Sequence, residues 1–336
     1  MSTMLAARLH IPRRRLSLEQ LPVPTPGPGQ VRIKVGAAGI CQSDLHLIDG
    51  TLSPVHLRSE TVTLGHEVAG TIDEIGAGVT GWTAGQRVVL HAGHEDTHGR
   101  VHTRGVDYDG GWAEYTLATP NTLVALPDEI AFEEACIVPD AVSTPWAAIS
   151  ETARIQPAEA VGVWGVGGLG THAIQLLRLV GAGPVVAVDP SQEARERALA
   201  LGADLALDPA DPDLAVHIQQ ATRSAGLAAA LDFAGVPGVR TQALSSLGRY
   251  GRLVLVGLSH SPVTIPDDAF FSYLQQSVHG AYGSQPAHIE QLIKLMLAGR
   301  LDLAGSVTAT AALSDVEAVI AGLGAGAPGV RTLLLP

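Results

Sequence analysis

The amino-acid sequence predicts an α/β protein in which a β-rich domain is interrupted by a doubly wound parallel sheet. Its 336 residues suit about two domains of the usual size. Up to about residue 130 the chain consists of short apolar runs broken by Gly and Pro, whereas apolar strands alternate with helical patterns after residue 141. The predicted domains are residues 1–141, 142–282 and 283–336, with the last segment rejoining the first domain.

The N-terminal domain is predicted to consist of strands and tight connections. Residues 22–30 (PVPTPGPGQ) are typical of a turn-rich connection, because Pro and Gly favour turns. Apolar or alternating runs at 31–40, 67–76 and 86–93 are typical of strands. The C-terminal segment adds a predicted helix at 286–300 and a predicted strand at 330–336.

The middle domain shows the pattern of βαβ units. Short apolar strands are predicted at 160–165, 184–189, 228–235 and 252–257. Helical periodicity occurs at 170–182 and 191–203, the second segment starting with Ser191 as a helix cap. Strands that alternate with helices of this length indicate a parallel sheet.

Composition excludes several classes of protein. With 46% hydrophobic and 16% charged residues the chain is globular, and its net charge of −12 offers no electrostatic footprint for nucleic acid or an anionic membrane. The cysteines, Cys41 and Cys136, are too few for a disulfide framework or a four-cysteine zinc site. No signal peptide or long apolar run is visible, so we expect a soluble, cytoplasmic protein that acts on a small molecule.

A glycine-rich loop follows the first strand of the middle domain and opens a helix. We predict that it binds a pyrophosphate through Gly165, Gly167, Gly168, Leu169 and Gly170. Asp189 ends the next predicted strand, where its carboxylate would accept a hydrogen bond from the adenosine ribose and repel a 2′-phosphate. The predicted cofactor is NAD. The alternative, a plain turn and a surface Asp, does not explain strand, loop, helix and acid together.

Short polar motifs in the N-terminal domain carry potential metal ligands. Residues 39–46 (GICQSDLH) contain Cys41, and residues 65–79 (GHEVAGTIDEIGAGV) contain His66. Either residue alone is more often a buried structural side chain. Together with the glycine-rich loop, these motifs resemble the zinc-dependent alcohol dehydrogenases of the medium-chain dehydrogenase/reductase family. The resemblance covers essentially the whole chain and implies a GroES-like catalytic domain and a Rossmann cofactor domain.

The resemblance implies one catalytic zinc per chain. Cys41 and His66 match the first ligands of the family, and the third falls at Asp140, where many relatives carry Cys. A carboxylate is a legitimate zinc ligand, and Cys136 is the alternative. Glu67 beside the metal is an alternate ligand or a supporting group. Three protein ligands leave one position open for the substrate oxygen.

The resemblance also assigns a route for the proton of the alcohol. Ser43 takes that proton, and His46 passes it to solvent through the ribose hydroxyls; a plain surface histidine is the alternative for His46. Asp44 would orient His66. The alcohol carbon gives a hydride to the nicotinamide. Further cofactor contacts are implied for Thr144, Val256, Gly257 and Arg331, and the subunits are expected to form a homodimer or homotetramer.

The stretch 91–102 (HAGHEDTHGRVH) stands where relatives carry a cysteine-rich lobe with a structural zinc. The chain has no cysteine between 41 and 136, so that lobe is lost. A replacement metal site from His94, Glu95, His98 and His102 is conceivable, but Gly and Thr favour a polar loop. We expect the loop and no metal there.

The predicted function is hydride transfer between NAD(H) and a secondary alcohol or polyol and its ketone. The alternatives are a zinc-free enoyl or quinone reductase, a non-catalytic nucleotide-binding relative, and a biosynthetic reductase of an imine, enone or natural-product carbonyl. Zinc-free relatives lack Cys41 and His66, and the intact ligand set argues against a protein without turnover.

Overall fold

The computed structural model describes residues 2–324 and 329–336. The strands, in chain order, are β1 (Thr3–His10), β2 (Arg15–Pro22), β3 (Val31–Ile40), β4 (Thr61–Thr63), β5 (Glu67–Ile75), β6 (Arg87–Leu90), β7 (Gly93–Glu95), β8 (Val101–Thr103), β9 (Tyr115–Ala118), β10 (Leu123–Ala125), β11 (Val161–Trp164), β12 (Val185–Val188), β13 (Leu205–Leu207), β14 (Leu227–Asp232), β15 (Leu247–Leu255), β16 (Ser277–Gly280), β17 (Val307–Ala312) and β18 (Arg331–Leu335). The helices are α1 (Gln42–Asp49), α2 (Phe132–Ala135), α3 (Ser143–Ala147), α4 (Gly168–Leu179), α5 (Gln192–Ala200), α6 (Leu214–Ala221), α7 (Pro237–Ser245), α8 (Asp268–Tyr273), α9 (Pro286–Leu297) and α10 (Val316–Gly324). Two π-helical segments, Val138–Val142 and Ala148–Thr152, flank α3.

The chain divides into two compact units, Met1–Ser143 with Gly283–Pro336, and Thr144–Tyr282. The sequence placed the first boundary at residue 141, whereas the first unit continues to Ser143. The π-helical turn Val138–Val142 leads directly into α3, which starts at Ser143, so the chain changes units inside a continuous helical segment.

The first unit is built on a seven-stranded sheet in the order β10-β6-β5-β3-β18-β17, with β9 also pairing with β3. The central strands β3, β5 and β18 pair antiparallel, and a three-stranded sheet, β2-β1-β4, lies in the same unit. Buried Val, Ile and Leu side chains from these strands form the core around the fully buried Trp112, whose indole N–H donates to the Gly39 carbonyl. Burying each such aliphatic side chain stabilises the unit by about 1.5–3 kcal/mol.

The second unit is a six-stranded parallel sheet in the order β13-β12-β11-β14-β15-β16. Its first strand in sequence, β11, lies at the centre, and the order reverses on either side of it. This is the doubly wound arrangement, in which ligands bind beyond the carboxyl ends of the strands at the reversal point. The predicted fold class is confirmed.

The stretch 91–102 differs from the predicted loop. It forms an antiparallel hairpin in which β7 pairs with β8 and His94 lies opposite His102. Packing of the paired rings stabilises the ribbon, a contact that local composition does not reveal. Across the part of the chain that the structure describes, no helix is both long and apolar enough to span a membrane.

Candidate metal centre and nucleotide-binding loop

The start of helix α1 positions Cys41. Cys41 is the residue that caps α1, and its backbone N–H donates to Asp44 Oδ2 at 2.9 Å in a capping box. The backbone N–H of Asp44 in turn bonds the Cys41 carbonyl at 3.0 Å. Because these hydrogen bonds cap the helix, they fix the backbone of Cys41 at the end of strand β3. The Cys41 side chain is buried there.

His66 stands immediately before strand β5 and is buried beside Asp44. His66 Nδ1 lies 3.5 Å from Asp44 Oδ1, too far for a strong hydrogen bond, and both atoms lack another hydrogen-bond partner among the described residues. On the other side of the ring, Nε2 lies 3.4 Å from Ser43 Oγ and 3.5 Å from Asp140 Oδ2. The ring therefore has one nitrogen toward a buried carboxylate and the other toward a group of ligating atoms.

Asp140 comes from the π-helical turn Val138–Val142, a backbone form that is frequent at functional sites. Its Oδ2 accepts a hydrogen bond from Cys41 Sγ at 3.2 Å. One donor atom each from Cys41, His66 and Asp140 thus lie within 4.8 Å of one another, and no other group of three or more such residues occurs within residues 2–324 and 329–336.

This cluster fits a divalent zinc ion. A tetrahedral site with Zn–N and Zn–O near 2.1 Å and Zn–S near 2.3 Å separates its ligand atoms by about 3.4–3.6 Å. The Sγ–Oδ2 distance of 3.2 Å and the Nε2–Oδ2 distance of 3.5 Å are close to these values. A metal on Nε2 of His66 would also place the ring proton on Nδ1, which gives the unpartnered Asp44 Oδ1 a donor.

The charges around the cluster also favour a cation. Burial lowers the pKa of His66, but the charge of Asp44 and hydrogen bonds to Asp140 outweigh it and hold that pKa well above its ordinary value. Burial raises the pKa of Asp140, yet hydrogen bonding to His66 and the charge of His66 hold it below its usual range. The surrounding groups therefore stabilise positive charge at the position that a metal would take.

Glu67 and Arg331 form a buried ion pair beside the cluster. Arg331 Nη2 donates to Glu67 Oε1 at 2.7 Å, and its Nε lies 3.1 Å from both carboxylate oxygens. Nη2 also lies 3.4 Å from Asp140 Oδ2. The carboxylate of Glu67 passes over Gly39 on the intervening strand β3, where a Cβ would stand 1.9 Å from Glu67 Oε2. Only glycine leaves room for this pair.

The environment of Glu67 explains why its partner matters. Burial raises the pKa of Glu67, and the charge of Arg331 opposes that shift. The backbone N–H of Ala141 donates to Glu67 Oε1 at 3.1 Å and connects the pair to the turn that carries Asp140. The family resemblance implied that Arg331 binds the pyrophosphate, but its ion pair with Glu67 and its contact with Asp140 were not predicted. Arg331 and Glu67 are far apart in the chain, and no local sequence pattern predicts a contact between them.

The remaining residues of the predicted proton route lie on helix α1. Ser43 is beside the cluster through its contact with His66, and it is partly exposed. His46 Nδ1 lies 3.7 Å from Asp49 Oδ2, and the side chain is 34% exposed. The rival ligand Cys136 is fully buried, and its Sγ donates to the Glu133 carbonyl at 3.4 Å. Burial raises the pKa of the Cys136 thiol well above its ordinary value, which disfavours the thiolate form that binds metals.

The glycine-rich loop of the second unit leads from β11 into α4. Gly165 has φ +85°, a left-handed conformation that glycine adopts without strain. A Cβ at Gly170 would stand 1.9 Å from the Gly165 carbonyl oxygen, so the helix approaches the turn only because no side chain intervenes. A Cβ at Gly167 would meet nothing within 4 Å, so the backbone there faces open space. This geometry is what a pyrophosphate-binding turn requires.

Asp189 lies just beyond the end of strand β12 and contacts this loop. Its Oδ2 accepts the N–H of Val166 at 2.7 Å, and its Oδ1 accepts the N–H of Ser191 at 2.8 Å. The carbonyl of Val166 is held by Arg197, whose Nη2 donates to it at 2.8 Å. Hydrogen bonds therefore join Asp189 directly to the glycine-rich loop. The spacing of these residues in the sequence did not predict this connection.

Val256 and Gly257 follow strand β15 at the same sheet edge. Their backbone N–H groups bond the Asp232 carbonyl at 2.9 and 2.8 Å, so this segment is fixed to the end of the neighbouring strand β14. Thr144 is buried at the first residue of the second unit. The contacts of these residues with a cofactor stay a prediction.

Two histidines of the hairpin, His94 and His102, pack against each other rather than converging on a point. The rings of His94 and His102 stack at 5.2 Å, and His56 lies 4.7 Å from His102, measured between ring centroids. His102 Nε2 lies 3.2 Å from Asp96 Oδ2, which also accepts from Arg100 Nε at 2.8 Å.

Replacing His94, His98 and His102 together by Ala should leave the zinc content near one per chain and turnover largely intact. The reason is that the stacked imidazoles present their edges side by side, whereas a metal needs them to converge. Elemental analysis of the purified variant checks this. A parent with two zinc ions that falls to one in the variant would show that the hairpin binds metal.

Comparisons with known proteins agree with this geometry. Residues 27–128 match the alcohol dehydrogenase GroES-like domain, and residues 168–298 match the zinc-binding dehydrogenase family. The chain is 36% identical to an alcohol dehydrogenase of Rhizobium meliloti over 277 residues, which are 79% of this chain and 80% of that protein. It is 31% identical to an NAD-dependent alcohol dehydrogenase of Sulfurisphaera tokodaii, covering 76% of this chain and 78% of the other.

A solved structure is similar along the whole chain. The 2R,3R-butanediol dehydrogenase from Bacillus subtilis superimposes with a TM-score of 0.90 at 28% identity, covering 99% of each chain. The GroES-like and parallel-sheet units are thus shared with a dehydrogenase. From the matching family models, the identity to the relatives and the Cys–His–Asp cluster together, this chain belongs to the zinc-binding alcohol dehydrogenases of the medium-chain dehydrogenase/reductase family.

Proposed function

We propose that this protein is a zinc- and NAD-dependent dehydrogenase of secondary alcohols or polyols, working reversibly with the ketone. The observation that carries the proposal is the cluster of Cys41, His66 and Asp140 donor atoms. Its support comes from membership of the zinc-binding family and from the similarity to a butanediol dehydrogenase, an enzyme named for a diol with secondary hydroxyl groups.

Different residues of the chain bind the metal, orient its ligands and support them. Cys41, His66 and Asp140 hold the zinc, which when bound supplies a Lewis acid that polarises a C–O bond and lowers the pKa of an alcohol. Asp44 fixes the orientation of His66 from inside the core. Glu67, neutralised by Arg331, supports the turn of Asp140 and is the reserve ligand.

Ser43 and His46 carry the proton in this proposal. Ser43 Oγ is within 3.4 Å of His66 Nε2, so its hydroxyl lies beside the metal cluster and can accept a proton from the substrate hydroxyl. His46 is partly exposed on the same helix and connects the site to solvent. When bound, the nicotinamide supplies the hydride acceptor.

A paired assay distinguishes alcohol oxidation from alkene reduction. With NADH, the zinc-loaded enzyme should reduce a secondary ketone and leave the matched enone's C=C bond unchanged, and removing zinc with a chelator should abolish ketone reduction. The reason is that zinc held by the cluster would polarise the C=O bond whose carbon accepts the hydride, so that ketone reduction depends on the metal. Enone reduction that survives complete zinc removal would instead place the protein among zinc-free reductases.

The cofactor is NAD in this proposal, bound by Gly165, Gly167, Gly168, Leu169 and Gly170, with Asp189 at the ribose. Thr144, Val256 and Gly257 contact the nicotinamide side, and Arg331 contributes to pyrophosphate binding. We further propose a dimer or tetramer located in the cytoplasm, with sedimentation analysis as the test of subunit number.

Replacing Asp189 by Ala should narrow the preference for NAD over NADP by about 10- to 100-fold, because the carboxylate no longer bonds the ribose or repels a 2′-phosphate. The ratio of kcat/KM for the two cofactors measures the change. Equal catalytic efficiency with both cofactors in the unmodified enzyme would contradict the assignment of Asp189.

A further inference from the structure

A cation stands beside Asp189 that the function proposed above does not use. Arg195 lies on helix α5, and its Nη1 donates to the Asp189 carbonyl at 2.7 Å and to the Pro190 carbonyl at 2.9 Å. The same nitrogen lies 3.2 Å from Asp208 Oδ2. Within the described residues, every hydrogen bond of this guanidinium is made through Nη1, and Nε and Nη2 are available to another ligand.

The guanidinium is within reach of the ribose position. Both oxygens of Asp189 are held by backbone N–H groups, so its carboxylate is fixed at the mouth of the glycine-rich loop. Arg195 contacts the backbone of that same residue. A phosphate in place of the 2′-hydroxyl beside Asp189 would therefore lie within one side-chain length of Arg195, and guanidinium groups bind phosphates in a bidentate fashion.

Asp208 restrains this cation. It follows strand β13, and its Oδ1 accepts the N–H of Ala210 at 2.8 Å, which fixes the carboxylate while Oδ2 faces Arg195. The pair is only partly exposed, at 21% for the Arg195 side chain and 39% for that of Asp208. An approaching 2′-phosphate carries about −1.5 to −2 charges, and it meets an arginine whose charge is already balanced.

We propose that Asp208 is a second determinant of cofactor selectivity, which acts by balancing the charge of Arg195 and so weakening its attraction for a 2′-phosphate. Asp189 excludes the phosphate directly, and Asp208 removes the compensating attraction. Arg195 is thus a latent phosphate ligand. The inference rests on the proposed binding of NAD at Asp189 and adds a residue that touches no part of the cofactor.

The test measures binding of NAD⁺, NADP⁺ and 2′,5′-ADP to the full-length, zinc-loaded protein by calorimetry. The variants are Asp189→Ala, then Asp189→Ala with Asp208→Asn, then both with Arg195→Gln. Asn keeps the oxygen that accepts the Ala210 N–H and removes only the charge. In the Asp189→Ala background, Asp208→Asn should tighten the binding of NADP⁺ and 2′,5′-ADP by a further factor of about five. This factor corresponds to the free energy of one partly exposed ion pair.

Adding Arg195→Gln should abolish that gain, and raising the salt concentration should weaken it. The affinity for NAD⁺ should be the same with and without Asp208→Asn, a result that a merely structural role would not give. If Asp208→Asn brings no gain, or if the gain survives Arg195→Gln, the inference is overturned while the proposed function stands. If NAD⁺ fails to bind the unmodified protein, the proposed function fails as well.

Discussion

Replacing Asp140 by Ala is expected to remove zinc from the protein and to abolish alcohol oxidation. The substitution leaves Cys41 and His66 as the remaining protein ligands, and two ligands make a weak site. Removing a group that merely supports a ligand already costs about 10- to 100-fold in metal affinity, so loss of a ligand should exceed that. Elemental analysis and turnover of the purified variant, at matched free zinc, measure the effect.

The matched variants are Asp140→Cys and Cys136→Ala. A thiolate is a zinc ligand, so Asp140→Cys should keep the metal, whereas Asp140→Ala should not. Cys136→Ala should also keep it, because the Cys136 thiol faces the Glu133 carbonyl. Full zinc in Asp140→Ala would contradict the ligand assignment and would identify Cys136 or Glu67 as the third ligand.

Replacing Arg331 by Met is expected to destabilise the protein by about 3–5 kcal/mol, the usual result of removing one partner of a buried ion pair. Both members are enclosed, with the Arg331 side chain 4% and the Glu67 side chain 0% exposed. Without Arg331, the Glu67 carboxylate loses the largest of the charges that offset its burial. Denaturant unfolding of the zinc-loaded protein measures the loss, and zinc content in the same samples reports whether Asp140 is displaced.

A double variant separates the charge from the packing. Glu67→Gln combined with Arg331→Met should recover much of the lost stability, because a neutral amide costs less to bury than an unpaired carboxylate. As a control, Arg178→Met removes an ion pair with Asp204 whose side chains are 48% and 44% exposed, and it should cost less than about 1 kcal/mol. An equally small loss in Arg331→Met would show that the buried pair does not stabilise the unit.

Helix-period and strand-period patterns predicted four of the six strands and two of the helices of the second unit, while β13, β16, α6, α7 and α8 were not predicted. Strands β11, β12, β14 and β15 and helices α4 and α5 all overlap the segments expected from the sequence, and Ser191 accepts the N–H of Ala194 at 3.3 Å as the predicted cap. The formation of these helices and strands depends mainly on residues close together in the sequence, so the local pattern is enough to predict them. The hairpin of β7 and β8 was wrongly expected to be a loop, since its pairing rests on the stacking of side chains across strands.

By itself, the sequence predicted the fold class and the glycine-rich loop with Asp189, because the period of apolar residues and the spacing of the loop are local signals. The resemblance of its short motifs to a known family implied Cys41, His66 and Asp140 as zinc ligands. Only the tertiary structure decided that Asp140 stands 3.2 Å from Cys41 across 99 positions of chain, and that Arg331 pairs with Glu67 across 264. Sheet register makes the second contact, because β18 and β5 lie on either side of β3 and Gly39 leaves the space between them, whereas the first depends on the packing of the π-helical turn that carries Asp140. Such contacts depend on which segments become neighbours in the fold. The periodicity of residues along one strand does not predict those neighbours.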